Sequence, residues 1–287
     1  MGIALYAASV LAAASLSPQE KAALVVVSGL PAPSGVGGVL VQHWNTNAPR
    51  PPGAIVFVDQ EGGAIRAFRD APPSRPASAY GSTAQALAAG RQTRAALRAR
   101  GVDVDLAPVL DLRGPLGSRH FRRPEYGVAF ARGLGDAACV KHFPGLGTAA
   151  VSTDERPHVD ARVRAHDLAP FRAAIRAGVP CVMTSNAFYD GARFRATISP
   201  ATYRRLRALG FDGVVITDSL SIVRKAPVER WARQAIRAGA DLVLFTSAAH
   251  ARRAIAALVP LARAGELDAS VARVLRYRSR LSSARRP

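Results

Sequence analysis

The sequence contains very little cysteine. Its 287 residues include only Cys139 and Cys181, too few for a small disulfide-stapled scaffold or a zinc module with several cysteine ligands. Both cysteines lie inside apolar runs, so we expect two buried thiols. A disulfide between them is the alternative, because it depends on a distance that the sequence does not give.

Lysine is almost as scarce, although the chain is strongly basic. All but three of its 39 basic residues are arginine, and the formal net charge is +19. The arginines are scattered among alanines, without a basic block interleaved with aromatic residues, so we predict no nucleic-acid partner. Two interpretations of the charge stay open: arginine on solvated helix faces, as a GC-rich genome would supply it, and association with an anionic cell-wall polymer.

The sequence has no hydrophobic run long enough to span a bilayer. Residues 2–14 are apolar over the length of the hydrophobic core of a signal peptide, and alanines at 12–14 suit a cleavage site, but no basic segment precedes them. Residues 1–15 are therefore an export signal whose start lies upstream, or a first packed helix. We favour export and expect a secreted or cell-envelope protein, with a cytoplasmic protein as the alternative.

Motifs of several catalytic classes are missing as well. No G-x-G-x-x-G opens a helix after a strand and there is no Walker loop, which argues against nucleotide binding. The six histidines show no H-E-x-x-H spacing, and the serines lack the G-x-S-x-G elbow of α/β-hydrolases. We therefore predict neither a metal site nor a cofactor.

Short apolar runs alternate with amphipathic segments, which predicts an α/β fold with a parallel sheet and crossover helices. Polar residues gather where four strands end, which favours a TIM-like (β/α)8 barrel, whether complete or irregular, over an open doubly wound sheet. Residues 31–53 are predicted to form a loop, and residues 82–100 and 161–177 helices, the second broken near residue 169. The predicted strands are 23–30, 54–58, 102–109, 137–142, 180–184, 214–217 and 242–245.

The stretch 141–158 carries the densest group of reactive side chains. Lys141 and His142 end an apolar run, and Pro144 with two glycines then breaks the chain. Barrel strands deliver catalytic groups in this way, from their carboxyl ends and the loops that follow. We therefore place the functional site here. The polar loop that follows contains Asp154, Glu155, Arg156 and His158.

Five segments resemble motifs of glycoside hydrolase family 3, in particular of its single-domain bacterial β-N-acetylhexosaminidases. Residues 141–147 have the sequence KHFPGLG, similar to the family's KHFPGHG, and residues 59–63 match DQEGG. Residues 210–220, GFDGVVITDSL, resemble the block GFDGVV-[ST]-D-x-L. Weaker matches are APVLD at 107–111 and GSRHF at 117–121. The resemblance implies a single glycosidase barrel domain over residues 16–287, with a carbohydrate as its partner.

By this resemblance, Asp218 is the catalytic nucleophile. The implied mechanism is retaining, with two carboxyl groups about 5–5.5 Å apart and a glycosyl–enzyme intermediate. From the residues alone, an aspartate after an apolar strand would equally suit the cap of the next helix. The implied function is removal of a terminal β-linked sugar, foremost N-acetylglucosamine of cell-wall fragments, by an enzyme that we expect to be a monomer.

Further positions are implied to bind the sugar. Asp59 is suited to accept two hydroxyl hydrogen bonds at once. Lys141, His142 and Arg119 would donate to other hydroxyl groups. An ion pair of Asp59 with Arg66 or Arg119 is the structural alternative. The predicted substrate-binding set is completed by Arg156 and Met183.

The general acid departs from the family pattern. The family has an Asp-x-His pair on the loop after KHFPGHG, but Arg156 stands where that histidine would be, and arginine keeps its proton at neutral pH. Leu146 replaces the histidine of GHG. Asp154, Glu155 and His158 are the candidate acid/base residues of this loop. The alternatives are a slow enzyme that needs good leaving groups, a glycan-binding homologue without turnover, and a glycoside phosphorylase.

Overall fold

The computed structural model describes residues 2–222 and 226–285, in which eight parallel strands form one barrel. Positions 223–225 and 286–287 of the expected domain 16–287 lie outside the described residues. The barrel strands are β1 Val26–Gly29, β2 Gly38–Val41, β3 Ile55–Val58, β4 Val104–Asp105, β5 Cys139–Phe143, β6 Cys181–Thr184, β7 Val214–Thr217 and β8 Val243–Phe245.

Two sheets make the wall of the barrel. One has the strand order β8-β1-β2-β3-β4 and the other the order β7-β6-β5. Isolated parallel bridges join the sheets at both seams: Asp105 to Ala138 between β4 and β5, and Ile216 to Leu242 between β7 and β8. Each strand therefore has a neighbour on both sides, which confirms the predicted TIM-like barrel.

Helices alternate with the strands only from β3 onward. Residues 30–37 and 42–54 connect the first three strands without a helix, so the barrel is irregular at its start. Two helices precede β1 and two follow β8. The helices are α1 Gly2–Ser15, α2 Pro18–Leu24, α3 Thr83–Ala99, α4 Pro124–Leu134, α5 Ala169–Arg176, α6 Pro200–Ala208, α7 Val228–Ala238, α8 Ala248–Arg263 and α9 Asp268–Arg285.

The structure corrects three predicted segments. Residues 31–53 are not a loop throughout, because they contain β2. A Cβ added to Gly38 would lie 2.5 Å from Cε2 of Phe57, so this glycine serves close packing against β3. The predicted strand 102–109 is regular only at Val104–Asp105. The predicted helix 161–177 is helical only at Ala169–Arg176, where Pro170 fits the first turn.

The two cysteines form a disulfide, so the predicted pair of free thiols is wrong. Cys139 and Cys181 are partners in the parallel register of β5 and β6, with their Cα atoms 4.4 Å apart. The sequence indicated consecutive strands for them but not this register. The bond spans 42 residues of chain that include the polar loop and α5.

The barrel strands are buried along their length, as parallel strands covered on both faces must be. The main apolar cluster extends from Ala13 in α1 to Leu281 in α9. A second, smaller cluster contains Val109, Leu146 and Val159, which come from the segments after β4 and β5. The loops at the carboxyl ends of the strands therefore have an apolar core of their own.

The first helix packs against the last. α1 contacts α9, and Ala13 is buried there. Residues 2–15 are thus helical, whichever of the two predicted roles they serve. Within residues 2–222 and 226–285, we find no helix that combines the length and the apolar character needed to cross a membrane.

Candidate active site

Polar side chains collect at the carboxyl ends of the barrel strands. Asp59 directly follows β3, Lys141 and His142 lie in the second half of β5, and Asp218 directly follows β7. Parallel strands of a barrel all end at the same rim. The structure therefore brings these four sequence-predicted residues to one end of the molecule.

A buried lysine joins two carboxylates. Only 2% of the Lys141 side chain is exposed, and its Nζ lies 2.5 Å from Oδ1 of Asp59 and 2.6 Å from Oε1 of Glu61. Arg119 donates to both oxygens of Glu61, from Nε and from Nη2, each at 2.8 Å. We call the four side chains Asp59, Lys141, Glu61 and Arg119 the charge network.

The charge network keeps its two most buried members, Glu61 and Lys141, ionised. Burial alone would raise the pKa of Glu61, but the positive charges of Lys141 and Arg119 outweigh burial and lower this pKa to about 2. Burial would likewise lower the pKa of Lys141, yet the charges of Asp59 and Glu61 raise it above its ordinary value. Asp59, with 38% of its side chain exposed, is the member most open to a ligand.

Asp59 pairs with Lys141 and not with Arg66 or Arg119, the two partners considered as the structural alternative. Arg119 pairs with Glu61, while Arg66 donates to two backbone carbonyl oxygens. Glu61 was not among the predicted site residues, although it is the third residue of the DQEGG motif. Only the folded chain shows that it turns towards Lys141.

A second carboxylate outside the predicted set holds His142. Asp111 is 1% exposed, and its Oδ2 lies 2.7 Å from Nδ1 of His142. Its Oδ1 accepts a hydrogen bond of 2.7 Å from the backbone N–H of Leu146. With Nδ1 engaged by a carboxylate, the imidazole has Nε2 for a ligand. Asp111 ends the APVLD motif, so the motif contained this residue without revealing its partner.

Asp218 is fixed by the backbone around it. Its amide donates to the carbonyl oxygen of Thr184 at 3.0 Å, and its Oδ1 accepts from the amide of Ser219 at 2.7 Å. The next helix, α7, starts at Val228 with Pro227 as its cap residue. Asp218 is therefore not the cap of that helix, which removes the structural alternative for this aspartate.

The charges around Asp218 act in opposite directions. Burial raises the pKa of its carboxyl group above the ordinary value, and the negative charge of Asp154 adds to that effect. The positive charges of His142 and Lys141 oppose it. The pKa of Asp218 thus depends both on Lys141 and His142 of β5 and on Asp154 of the polar loop.

Asp154 connects the polar loop to the charge network. Its Oδ2 lies 3.8 Å from Nη1 of Arg119, with 72% of the Asp154 side chain exposed. The hydroxyl oxygen of Ser152 accepts a hydrogen bond of 3.2 Å from the Asp154 amide. The carboxylate therefore stands at the edge of the network, accessible from solvent.

The other predicted loop residues make different contacts. Glu155 and Arg156 are exposed. His158 stacks on the ring of Phe188 with the centroids 4.2 Å apart, and its Nε2 lies 3.3 Å from Oδ1 of Asp160. The contacts of His158 therefore run to the segment after β6 and to its own loop.

Met183 is placed in the apolar interior. It is 2% exposed, belongs to the main apolar cluster and is the register partner of Ile216 in β7. Its contact with a substrate stays a prediction.

The arrangement suits a polyhydroxylated ligand and carboxylate chemistry. The charge network and His142 offer acceptors and donors for hydroxyl groups, and Asp218 and Asp154 supply two carboxyl groups, of which Asp154 adds to the raised pKa of Asp218. Among the described residues, no group of three or more His, Cys, Asp or Glu is arranged to hold a metal ion.

Known proteins resemble this chain over most of its length. Residues 40–277 match the family described as glycosyl hydrolase family 3 N terminal domain. A beta-hexosaminidase of Stenotrophomonas maltophilia is 36% identical over 232 residues, which cover 69% of this chain and 68% of that protein.

Solved structures share the fold. A glycoside hydrolase family 3 beta-N-acetylglucosaminidase from Paenibacillus has a TM-score of 0.80 at 25% identity, covering 94% of this chain and 64% of that chain. A beta-N-acetylhexosaminidase from Beutenbergia cavernae has a TM-score of 0.76 at 28% identity, covering 93% of this chain and 99% of that chain. This chain therefore spans less than two thirds of the first structure and nearly all of the second.

Proposed function

The chain belongs to glycosyl hydrolase family 3, whose N-terminal domain it matches, and from this premise we propose that it hydrolyses a terminal β-linked sugar, foremost N-acetylglucosamine. Asp218 is the nucleophile, Asp154 the acid/base and the configuration at the anomeric carbon is retained. The observation that carries the proposal is the position of Asp218 at the rim of the barrel that also holds the charge network and His142. The names of the relatives support the choice of sugar.

The charge network and His142 bind the sugar in this proposal. Asp59 accepts hydrogen bonds from two hydroxyl groups, because its side chain is the exposed end of the network. Lys141 and Nε2 of His142 donate to neighbouring hydroxyl groups. Since Glu61 and Asp111 already fix these two donors, little side-chain entropy is lost when the sugar binds.

The reaction then proceeds in two displacements. The Asp218 carboxylate attacks the anomeric carbon, the bond to the leaving oxygen breaks, and Asp154, in its protonated form, gives its proton to that oxygen. A water molecule next attacks the glycosyl–Asp218 ester and gives a proton to the Asp154 carboxylate. The bond to Asp218 breaks, and the sugar leaves with its original configuration.

Three observations favour Asp154 over the other two acid/base candidates. It is the loop carboxylate within 3.8 Å of a network side chain, Arg119. Its charge acts on the pKa of Asp218. His158 is engaged by Phe188 and Asp160. A general acid and a nucleophile must face the same glycosidic bond, and Asp154 meets that condition best.

A covalent trap tests the nucleophile. We expect a 5-fluorinated N-acetylglucosaminyl fluoride to label the wild type on the peptide that contains Asp218, as mass spectrometry would show. Asp218→Asn should not be labelled, whereas Asp212→Asn, an exposed aspartate six residues earlier, should be labelled like the wild type. A wild type that binds N-acetylglucosamine but neither turns over aryl glycosides nor takes the label would be a glycan-binding protein.

Leaving groups test the acid. We expect Asp154→Asn to lower kcat/KM for a phenyl glycoside by about 10²–10⁴-fold, the usual contribution of a general acid. A dinitrophenyl glycoside, which needs no proton, should be affected far less. The same pattern in His158→Ala or Glu155→Gln, but not in Asp154→Asn, would assign the acid to that residue. Release of a sugar phosphate when inorganic phosphate is added would instead show a phosphorylase.

We also propose that the protein works outside the cytoplasm. The Cys139–Cys181 disulfide supports this proposal, because such bonds persist in oxidising compartments. Cell fractionation with a redox-state label on the two cysteines tests it. A cytoplasmic protein with two free thiols would contradict it.

A further inference from the structure

Arg195 is a buried cation in an aromatic stack. The residue is 6% exposed, and its guanidinium carbon lies 4.5 Å from the ring centroid of Trp231 and 5.3 Å from that of Phe188. The ring of Phe188 in turn stacks on His158. We call these four side chains the Arg195 stack; it joins α7, where Trp231 lies, to the polar loop.

Arg195 also binds the backbone of the polar loop. Its Nη2 donates to the carbonyl oxygen of Pro157 at 3.2 Å. Two residues further on, the carbonyl oxygen of Val159 accepts from the amide of Phe188 at 2.8 Å. At the other end of the loop, Ser152 and Thr153 are buried, whereas residues 154–158 are exposed. The exposed part of the loop is therefore held at its far end by the Arg195 stack.

Burying an arginine at this position is unfavourable, because its guanidinium group loses contact with water. Burial lowers the pKa of Arg195, opposed by the negative charge of Asp218. Its Nη1 is buried without a hydrogen-bond partner among the described groups. An apolar side chain of similar volume would fill the space between two aromatic rings with less desolvation. Filling space thus does not explain Arg195, whereas a planar donor to Pro157 does.

We propose that Arg195 is a positioning residue: it holds the polar loop, and with it the acid/base Asp154, in place over the reacting sugar. The inference rests on the proposed function. It assigns no proton transfer to Arg195 itself. Loss of the side chain should allow residues 154–158 to move, so that the general acid meets the leaving oxygen less often.

Arg195→Leu tests the inference by its dependence on the leaving group. We expect kcat/KM for the phenyl glycoside to fall by about 10²-fold, within the range of general acid catalysis, and that for the dinitrophenyl glycoside by less than about fivefold. A merely structural residue would lower both values by the same factor. Arg195→Lys keeps the charge but not the planar fork; it should show the same selective loss, and it serves if leucine prevents folding.

Arg193→Leu is the matched control. Arg193 lies two residues earlier, is exposed, and places its guanidinium 5.6 Å from the ring centroid of Phe194. It carries the same type of cation–ring contact without a link to the polar loop. We expect both kcat/KM values to stay near those of the wild type. Equal losses on the two substrates in Arg195→Leu, or a selective loss in Arg193→Leu, would overturn the inference.

Hydrogen exchange gives a readout that does not depend on turnover. Amides of residues 153–156 should exchange faster in Arg195→Leu than in the wild type or in Arg193→Leu, because the loop has lost one of its two anchors. Unchanged exchange would refute the inference even if activity falls. If the wild type turns over neither glycoside, the proposed function fails, and the exchange result alone decides whether Arg195 holds the loop.

Discussion

Asp218 has to be ionised to attack a sugar, although its surroundings favour the protonated form. Burial raises its pKa above the 3.8 of an ordinary aspartate, and the charge of His142 partly offsets this effect. Activity should therefore fall as the pH decreases through a pKa above 3.8. In His142→Gln the offsetting charge is gone, so we expect the acidic limb of kcat/KM against pH to move to still higher pH.

The position of that limb, measured on the dinitrophenyl glycoside, separates this effect from a general loss of rate. His43→Gln is a suitable control, since His43 is exposed in the segment after β2. It should leave the limb where the wild type has it. A limb in His142→Gln that stays in place or moves to lower pH would contradict the assigned electrostatics.

Glu61 stabilises the fold by neutralising the buried Lys141 and the partly buried Arg119. Removing one partner of a buried ion pair costs about 3–5 kcal/mol, and we expect Glu61→Gln to lower the free energy of unfolding at pH 7 by about that amount. The pKa of Glu61 decreases from 4.5 to about 2 on folding. Its stabilisation is therefore complete above pH 4.5 and is lost as the pH decreases towards 2.

Denaturant unfolding of wild type and variant over that pH range measures the effect. Glu229→Gln is the matched control, because Glu229 makes the same two-oxygen contact with Arg253 on the surface. Exposed pairs contribute about 0–1 kcal/mol, so this variant should stay within about 1 kcal/mol of the wild type. Equal losses in the two variants would show that burial does not set the strength of the network.

At the scale of elements, the disulfide joins the first residues of β5 and β6, and β5 carries Lys141 and His142 further along. The cysteines are 42 residues apart, and closing such a loop removes about 4 kcal/mol of unfolded-chain entropy. We expect the double variant Cys139→Ala/Cys181→Ala to have a free energy of unfolding lower by about 3–4 kcal/mol. Denaturant unfolding of the variant, and of the wild type with and without reductant, provides the comparison. A reduced wild type as stable as the oxidised one would contradict the prediction.

The elements that the sequence predicts correctly are those marked by a pattern of a few consecutive residues. Residues 214–217 were predicted as β7 with its observed bounds, because a β-branched run before Asp218 needs no information from elsewhere in the chain. β2 was missed, since Gly38 looks like part of a turn until Phe57 lies against it. The barrel architecture followed from the alternation of such local signals.

For the candidate site, the sequence predicted residues within local motifs but not the contacts between them. The motifs located Asp59, Lys141, His142 and Asp218, which the structure brings to one rim. Partners were not predictable, because contacts depend on register and on how loops turn. Lys141 bridges Asp59 and Glu61, and Nδ1 of His142 contacts the carboxylate of Asp111. Similarly, the aromatic stack around Arg195 joins three segments that are far apart in the sequence.

At the scale of the molecule, part of the positive charge lies far from the candidate active site. A cavity of about 620 Å³ lies at the end of the barrel where β6 and β7 begin, away from the candidate active site. Arg273, Arg276 and Arg280 of α9 border it. With a net charge of +19, the surface should attract anionic polymers at low ionic strength.

We therefore expect the protein to be retained on immobilised poly(glycerol phosphate) and released as salt is raised, because exposed charges are screened beyond about 10 Å at 0.1 M. Chromatography in a salt gradient measures this, with uncharged dextran as the control matrix. Retention that does not change with salt, or equal retention on dextran, would show that the arginines only solvate the surface.

The closure of the barrel also has a consequence for protein synthesis. β1 pairs with β8, Val26 beside Val243, and α1 packs on α9. These partners lie at opposite ends of the sequence, so β1 can pair with β2 early but finds its second neighbour only when the last strand has left the ribosome. Until then the nascent chain carries an open strand edge, which invites pairing with other chains. Ribosome stalling before β8 should therefore yield a chaperone-dependent, aggregation-prone intermediate.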